Sequence, residues 1–311
     1  MNLFWKKILG ILMPTDRYEK LEGDFMLSAD SSQQQKHSPI ISEYKRLNLE
    51  LKLSSSSVRK ESKKRIKKLK KHPEVRFYLS NSGKKIQQVF LAFNDDFRWN
   101  KLIESRWKPG FNFDNKQLKN HYTFENEQQA YNHGRNTSAS DGILTIRTKK
   151  QSIESLAWHP SKGFVPKKFQ YTSDVIQTAA SFRQQGGIFK AKIRCSGPIH
   201  HAWWLASENM EPHINIFHYN GKEIQMGYVN QQSGDGISIT GINPEEFYIY
   251  SLHWTKDELI WHINNKEVFR TSGDIPLQDL FMNFNSFISG NQLPAEGKLE
   301  VDWVRVYQFN I

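Results

Sequence analysis

The chain is predicted to be all-β: a two-sheet antiparallel β-sandwich with a basic N-terminal helical extension. Three observations predict this. Aromatic residues fill 13% of its 311 positions, nine of them Trp, and aromatic-lined faces suit a large sandwich better than a helical bundle. From about residue 88, short runs of alternating apolar and polar residues recur between turn-forming pairs. The charge is also uneven. Residues 1–87 carry 20 Lys and Arg against 9 Asp and Glu, whereas residues 88–311 carry 23 of each. The net charge of +11 therefore belongs to the extension, and so does any argument about anionic partners. A chain of this length holds one domain of about 200 residues plus an appendage, read as 1–87 and 88–311. The single cysteine, Cys195, excludes an intramolecular disulfide and a cysteine-based zinc site.

At the N-terminus, Lys6 and Lys7 split the apolar run of residues 2–13, no small-x-small cleavage site follows, and nothing approaches the ~20 apolar residues of a membrane span. The chain is accordingly read as non-secreted and cytoplasmic, with a membrane-surface helix at 2–13 as the alternative to ordinary packing. Residues 14–40 are polar and aperiodic. Helical patterns cover 41–51 and 58–72, a hairpin within about 40–80, with Ser57 placed to cap the second helix and Pro73 to end it. That helix gathers Lys60, Lys63, Lys64, Lys67, Lys68 and Lys71 on one side, with Ile66 and Leu69 on the other. A solvated face is the ordinary reading; contact with an anionic membrane, an acidic polysaccharide or a nucleic-acid backbone is the sharper one, with no specific nucleic-acid motif present.

Strands are expected at 74–78, at 87–93 and then throughout the domain. Asp141-Gly142 introduces an alternating strand, and Asn264-Asn265 supplies a hairpin turn. Phe189 to Cys195 alternates, so Cys195 reads as a buried core thiol. The most unusual stretch joins two apolar-aromatic strands: Gly197 to Ser207, then His213-Ile-Asn-Ile-Phe-His218. In a regular strand His213 and Asn215 share a face and His218 points away. One bulged residue after Asn215 would return His218 to their face, placing three polar side chains together on an apolar strand.

This stretch resembles the core of the family-16 glycoside hydrolases, the laminarinase, lichenase and agarase group of concanavalin-like jelly rolls. Ala202-Trp-Trp-Leu205 matches that family's first strand. His213, Asn215 and His218 fall where it has a nucleophile Glu, a helper Asp and an acid/base Glu. Further matches are Asn94-Asp-Asp-Phe97 with Trp107, Asp141 to Arg147, Tyr171 to Gln177, Gly186 to Arg194, Phe247 to Trp254, Leu259 to Ile263, Phe281 to Asn285, and Glu300 to Tyr307. Asp174 stands where the family usually has Gly, and Lys190 where Arg or Glu is common. The resemblance covers residues 88–311 and implies a concave sheet carrying a glycan cleft. It speaks to fold more than to activity, because sites are grafted onto folds.

Retaining glycoside hydrolysis needs two carboxyl groups about 5–5.5 Å apart. Two imidazoles and an amide in their place raise the local charge by up to about three units, which opposes a cationic transition state. The family's hydrolysis is therefore expected to be lost. The chain then reads as a catalytically degenerate carbohydrate-binding protein for a polysaccharide, including one bearing carboxylate or sulfate. Trp203, Trp204, His201, Tyr219, Tyr228 and Asn285 are its candidate ligand contacts. One alternative is a polysaccharide-cleaving hydrolase or lyase using His213, Asn215, His218 and a nearby Tyr; another is a scaffold without glycan activity. No cofactor is expected. His200, His201, His213 and His218 are numerous enough for a metal, but neighbours in a strand face opposite ways, so none is assigned.

Overall fold

A computed structural model of the chain describes residues 89–112, 123–230 and 233–309. Ahead of these it describes residues 56–72 together with Ile40, Glu43, Tyr44, Arg46, Leu47, Asn48 and Val75. The expected surface helix at 2–13 and the polar stretch before Ile40 lie outside the described residues. So does the strand expected at 74–78, apart from Val75, which is helical rather than extended.

The chain divides into two compact units whose described residues fall, for one, in Phe93–Val306 and, for the other, in Asp16–Ala92 and Tyr307–Ile311. In the second unit the helix α1 (Ser56–Leu69) buries Ile66 and Leu69 against Tyr44, Leu47 and Val75. Arg65 spans to Glu43 with two hydrogen bonds, 2.8 and 3.2 Å long. The lysines at 63, 64, 67, 68, 70 and 71 face solvent; the side chain of Lys60 lies outside the described residues.

The larger unit is built from strands. In chain order they are β1 (Val89–Asp95), β2 (Lys108–Pro109), β3 (Thr123–Phe124), β4 (Gln129–Tyr131), β5 (Thr137–Ser140) and β6 (Ile143–His159). Then come β7 (Gly163–Ser173), β8 (Val175–Gln177), β9 (Gly187–Ser196), β10 (His200–Ala206), β11 (His213–Asn220) and β12 (Ile224–Asn230). The last are β13 (Ser233–Ile239), β14 (Tyr248–Trp254), β15 (Leu259–Ile263), β16 (Lys266–Thr271), β17 (Phe281–Phe287) and β18 (Gly297–Phe309). One sheet runs β13-β12-β11-β10-β17-β8-β2, and the other follows β16-β15-β14-β9-β18-β6-β7-β4. Pairing is mostly antiparallel; short β3 and β4 run parallel to β6 and β7. The two-sheet sandwich predicted from alternation is the fold observed.

The turns form where the sequence places them. Asp141-Gly142 and Asn264-Asn265 all have positive φ, the left-handed conformation a two-residue hairpin turn requires. Between the sheets lie Trp203, Leu205, Ile214, Phe217, Met226, Met282 and Phe284 from one side, and Phe189, Tyr250, Leu252, Trp254 and Trp261 from the other. Each such side chain stabilises the fold by roughly 1.5–3 kcal/mol on burial. Near the start of the domain, Asp95 accepts a hydrogen bond from the Phe97 amide at 3.0 Å and from the Trp107 indole at 2.9 Å, tying two family-like aromatic positions to one carboxylate. Asp174, in the family's glycine position, gathers the loop after β4. It accepts from the amides of Asn132 (3.0 Å), Gly134 (2.9 Å) and Asn136 (2.6 Å) and from the Thr137 hydroxyl (3.3 Å).

Candidate functional site on the seven-stranded sheet

The outer face of the seven-stranded sheet is set by register. Residues opposite one another across a ladder share a face. Ala202 and Trp204 belong to an apolar cluster separate from the intersheet core, with Phe111, Tyr131, Val175 and Ala206. Even-numbered residues of β10 therefore point outward, while Trp203 and Leu205 point into the core.

The bulge anticipated in β11 is present. Trp203 pairs with Phe217 and Trp204 with Asn215, so Ile216 is the extra residue. Against β12 the same shift falls between Asn215 and His218. Ile214, Ile216 and Phe217 all enter the core, leaving His213, Asn215 and His218 in one outward row. The Asn215 carbonyl at the bulge accepts a hydrogen bond of 2.8 Å from the Trp261 indole of the facing sheet.

Around this row the side chains form two neutral clusters, one at His213 and Asn215 and one at His218. His213 Nε2 is hydrogen-bonded to Asn215 Oδ1 at 3.0 Å, and its ring stacks on Trp204 with centroids 4.6 Å apart. The Trp204 indole donates to Asn285 Oδ1 at 2.9 Å. His218 Nε2 meets His200 Nδ1 at 2.8 Å, and His200 stacks on Phe287 at 4.4 Å. One imidazole of that pair donates and the other accepts, so between them they present one outward donor and one outward acceptor. Trp204 is only 3% exposed, roofed by His213, so the ligand-accessible groups are the edges of the histidines and Asn215.

The other sequence candidates lie elsewhere. Trp203 is in the core, stacked on Phe284. His201 faces inward, bonded to the Ser286 hydroxyl at 2.8 Å and the Ser196 carbonyl at 3.1 Å, and lies parallel to Tyr219. Tyr228 is buried opposite Ile214, its hydroxyl donating to the Gly273 carbonyl. Among the described residues no group of three His, Cys, Asp or Glu side chains is placed to hold a metal ion. No described helix is long and apolar enough to cross a membrane.

Burial keeps the imidazoles uncharged. It pushes His200 down to about 4, His218 and His201 to about 3, and His213 below its usual range. A histidine depressed in the fold contributes stability that is complete above its ordinary value near 6.5 and is lost as the pH falls toward its folded value. Denaturation midpoints are therefore expected to fall from pH 7 to pH 4. His218→Asn, which cannot ionise, should lose less over that range than the parent.

Sequence reasoning did not reach Glu127. This carboxyl is 8% exposed and is held by Gln129 Nε2 at 3.0 Å and the Tyr131 hydroxyl at 3.4 Å. Tyr131 itself packs in the outer-face cluster with Trp204. Burial raises Glu127 from 4.5 to about 8, so at neutral pH the folded chain keeps a proton that the unfolded chain releases. Its stabilising effect is complete below about pH 4.5 and disappears as the pH rises through 8. Glu127→Gln removes this dependence; the variant's melting temperature is expected to gain on the parent's steadily from pH 5 to pH 8.

No family model matches the chain. A curated relative, the endo-1,3-1,4-β-glycanase ExsH of Rhizobium meliloti (strain 1021), is 22% identical over 191 residues, which is 56% of this chain and 40% of that protein. The chain thus spans about two fifths of the length of that relative. Among solved structures, the catalytic domain of an endo-1,3-β-glucanase (laminarinase) from Thermotoga petrophila RKU-1 matches with a TM-score of 0.58 at 16% identity, covering 73% of this chain and 100% of that one. The endo-β-1,3-glucanase from Pyrococcus furiosus gives 0.58 at 18%, covering 73% and 97%. SCLam, a non-specific endo-β-1,3(4)-glucanase from family GH16, gives 0.58 at 23%, covering 71% and 92%. The fold is that of the family-16 glucanases, which the chain resembles along its sandwich.

Proposed function

We propose that the chain recognises a polysaccharide on the outer face of its seven-stranded sheet and does not cleave it by the retaining mechanism. The observation that carries this reading is the row itself: His213, Asn215 and His218 share one face, and no carboxylate is among them. The row has the residue spacing of the family's reactive strand, so what changed is its chemistry. An ester-forming nucleophile is missing, and imidazoles held neutral lack the charge that steadies a developing cation. Neutral donors and acceptors suit sugar hydroxyls. The fixed positive charge that would favour carboxylate or sulfate groups is absent from this row at neutral pH.

Affinity electrophoresis through gels containing neutral β-glucans, agarose or acidic polysaccharides tests the reading. Retardation by a neutral glycan is expected, with affinity lowered at least ~10-fold by His200→Ala combined with Asn215→Ala, since each lost hydrogen bond is worth about 1 kcal/mol. A chain that no polysaccharide retards would be a scaffold instead.

A further inference from the structure

We propose that the lysine face of α1 docks on an anionic lipid bilayer. At 100° per residue, carried on through the turn that follows α1, Lys63, Lys64, Lys67, Lys68, Lys70 and Lys71 fall within an arc of about 160°, and Ser62, Ile66 and Leu69 fall on the opposite side. The burial agrees: those six lysines are exposed, whereas Ser62, Ile66 and Leu69 are 6–7% exposed. The apolar side is occupied by Tyr44, Leu47 and Val75, so among the described side chains of this helix no apolar stripe is left free to insert. It can engage a membrane only through its charge.

That charge is uncompensated among the described residues. Residues 56–72 contain nine Lys and Arg and one Glu. Arg65 takes Glu43, but none of the six lysines has an acidic partner among the described residues. The sandwich pairs many of its own cations: Lys192 with Asp302, Arg194 with Glu300, and Arg270 with Glu258 and Glu267. Six ammonium groups spread over about 12 Å of helix repel one another, and a surface of negative headgroups relieves that repulsion.

Residue type selects among anionic partners. Lysine offers a hydrated point charge that needs no fixed geometry, which suits a fluid layer of lipid headgroups. Nucleic-acid recognition leans on bidentate Arg and on aromatic stacking; residues 62–72 contain no Phe, Tyr or Trp, and their one Arg is paired with Glu43. Clusters of four to eight basic residues on a helix contribute about fivefold in affinity per residue, about 1 kcal/mol each, at an anionic bilayer.

The test is vesicle sedimentation with the full chain. Phosphatidylcholine vesicles are compared with vesicles containing about one third phosphatidylserine, at low salt and at ~0.5 M NaCl. Binding is expected only to the anionic vesicles, lost at high salt. Lys63→Gln, Lys67→Gln and Lys71→Gln together should weaken it about 100-fold. All three side chains are exposed and have no acidic partner among the described residues, and an unchanged melting curve shows that the fold is kept. Glycan retardation by the triple variant should equal the parent's, because this proposal does not rest on the polysaccharide reading. Equal binding to neutral vesicles, no binding to either, or an unaffected triple variant would overturn it. So would tighter binding to a DNA duplex or an acidic polysaccharide than to anionic vesicles at matched charge.

Discussion

Asp174→Ala is expected to destabilise the sandwich by about 3–5 kcal/mol, through loss of charge-assisted hydrogen bonds and exposure of the cost of unpaired amides. The side chain is 1% exposed, and the amides of Asn132, Gly134 and Asn136 converge on it. For a domain of this size the melting temperature should fall by roughly 6–20 °C. The more telling variant is Asp174→Gly, which installs the residue the glucanase family commonly has there. If the carboxylate organises the loop after β4, the glycine variant is at least as unstable as the alanine one. A variant within about 1 °C of the parent would mean that the loop holds itself.

The second large effect is a gain. His213→Glu, Asn215→Asp and His218→Glu together restore the carboxylates of the family's reactive strand to side chains that already share a face. The triple variant is expected to release reducing ends from a β-1,3- or mixed-linkage β-glucan at least ~100-fold above the parent, the lower range for a working acid/base pair. His200, now hydrogen-bonded to His218, would meet the new carboxylate at position 218. Single substitutions should give nothing measurable, because one carboxyl cannot serve as both nucleophile and acid. A stable triple variant with no activity would mean that groups beyond the row have also been lost.

The sequence carried the fold through local signals: alternation at period two, and Asp-Gly and Asn-Asn turns whose residues accept positive φ. It carried the row only conditionally: by spacing His218 lies on the opposite face of a regular strand, and it is the bulge seen in the register after Asn215 that aligns it. It did not carry the facing of the other candidates. In Gly197 to Ser207 two histidines and two tryptophans stand as adjacent pairs, and alternation separates the members of each pair without saying which faces the core. Register settles it. Tyr219 lies opposite inward-facing His201, and Tyr228 opposite Ile214. His200 is the outward histidine, and it pairs with His218 along a cross-strand diagonal that no linear pattern displays. Glu127 was invisible for a different reason. It sits in a loop whose anchors are far away in sequence: Gln128 donates to the carbonyls of Ser289 and Gln292, 161 and 164 residues on. Nothing local marks such a carboxyl as buried.

On the function proposed above, this fold keeps the geometry of a glucanase strand without its hydrolysis. Counting new reducing ends while the purified chain is held with β-1,3-glucan and mixed-linkage β-glucan tests that claim most directly. The expected count equals that of the heat-denatured chain, together with retention of the intact protein on one of the glycans offered. Steady release of reducing ends by the unmodified chain, abolished by His218→Ala, would contradict it and assign a working chemistry to the imidazoles.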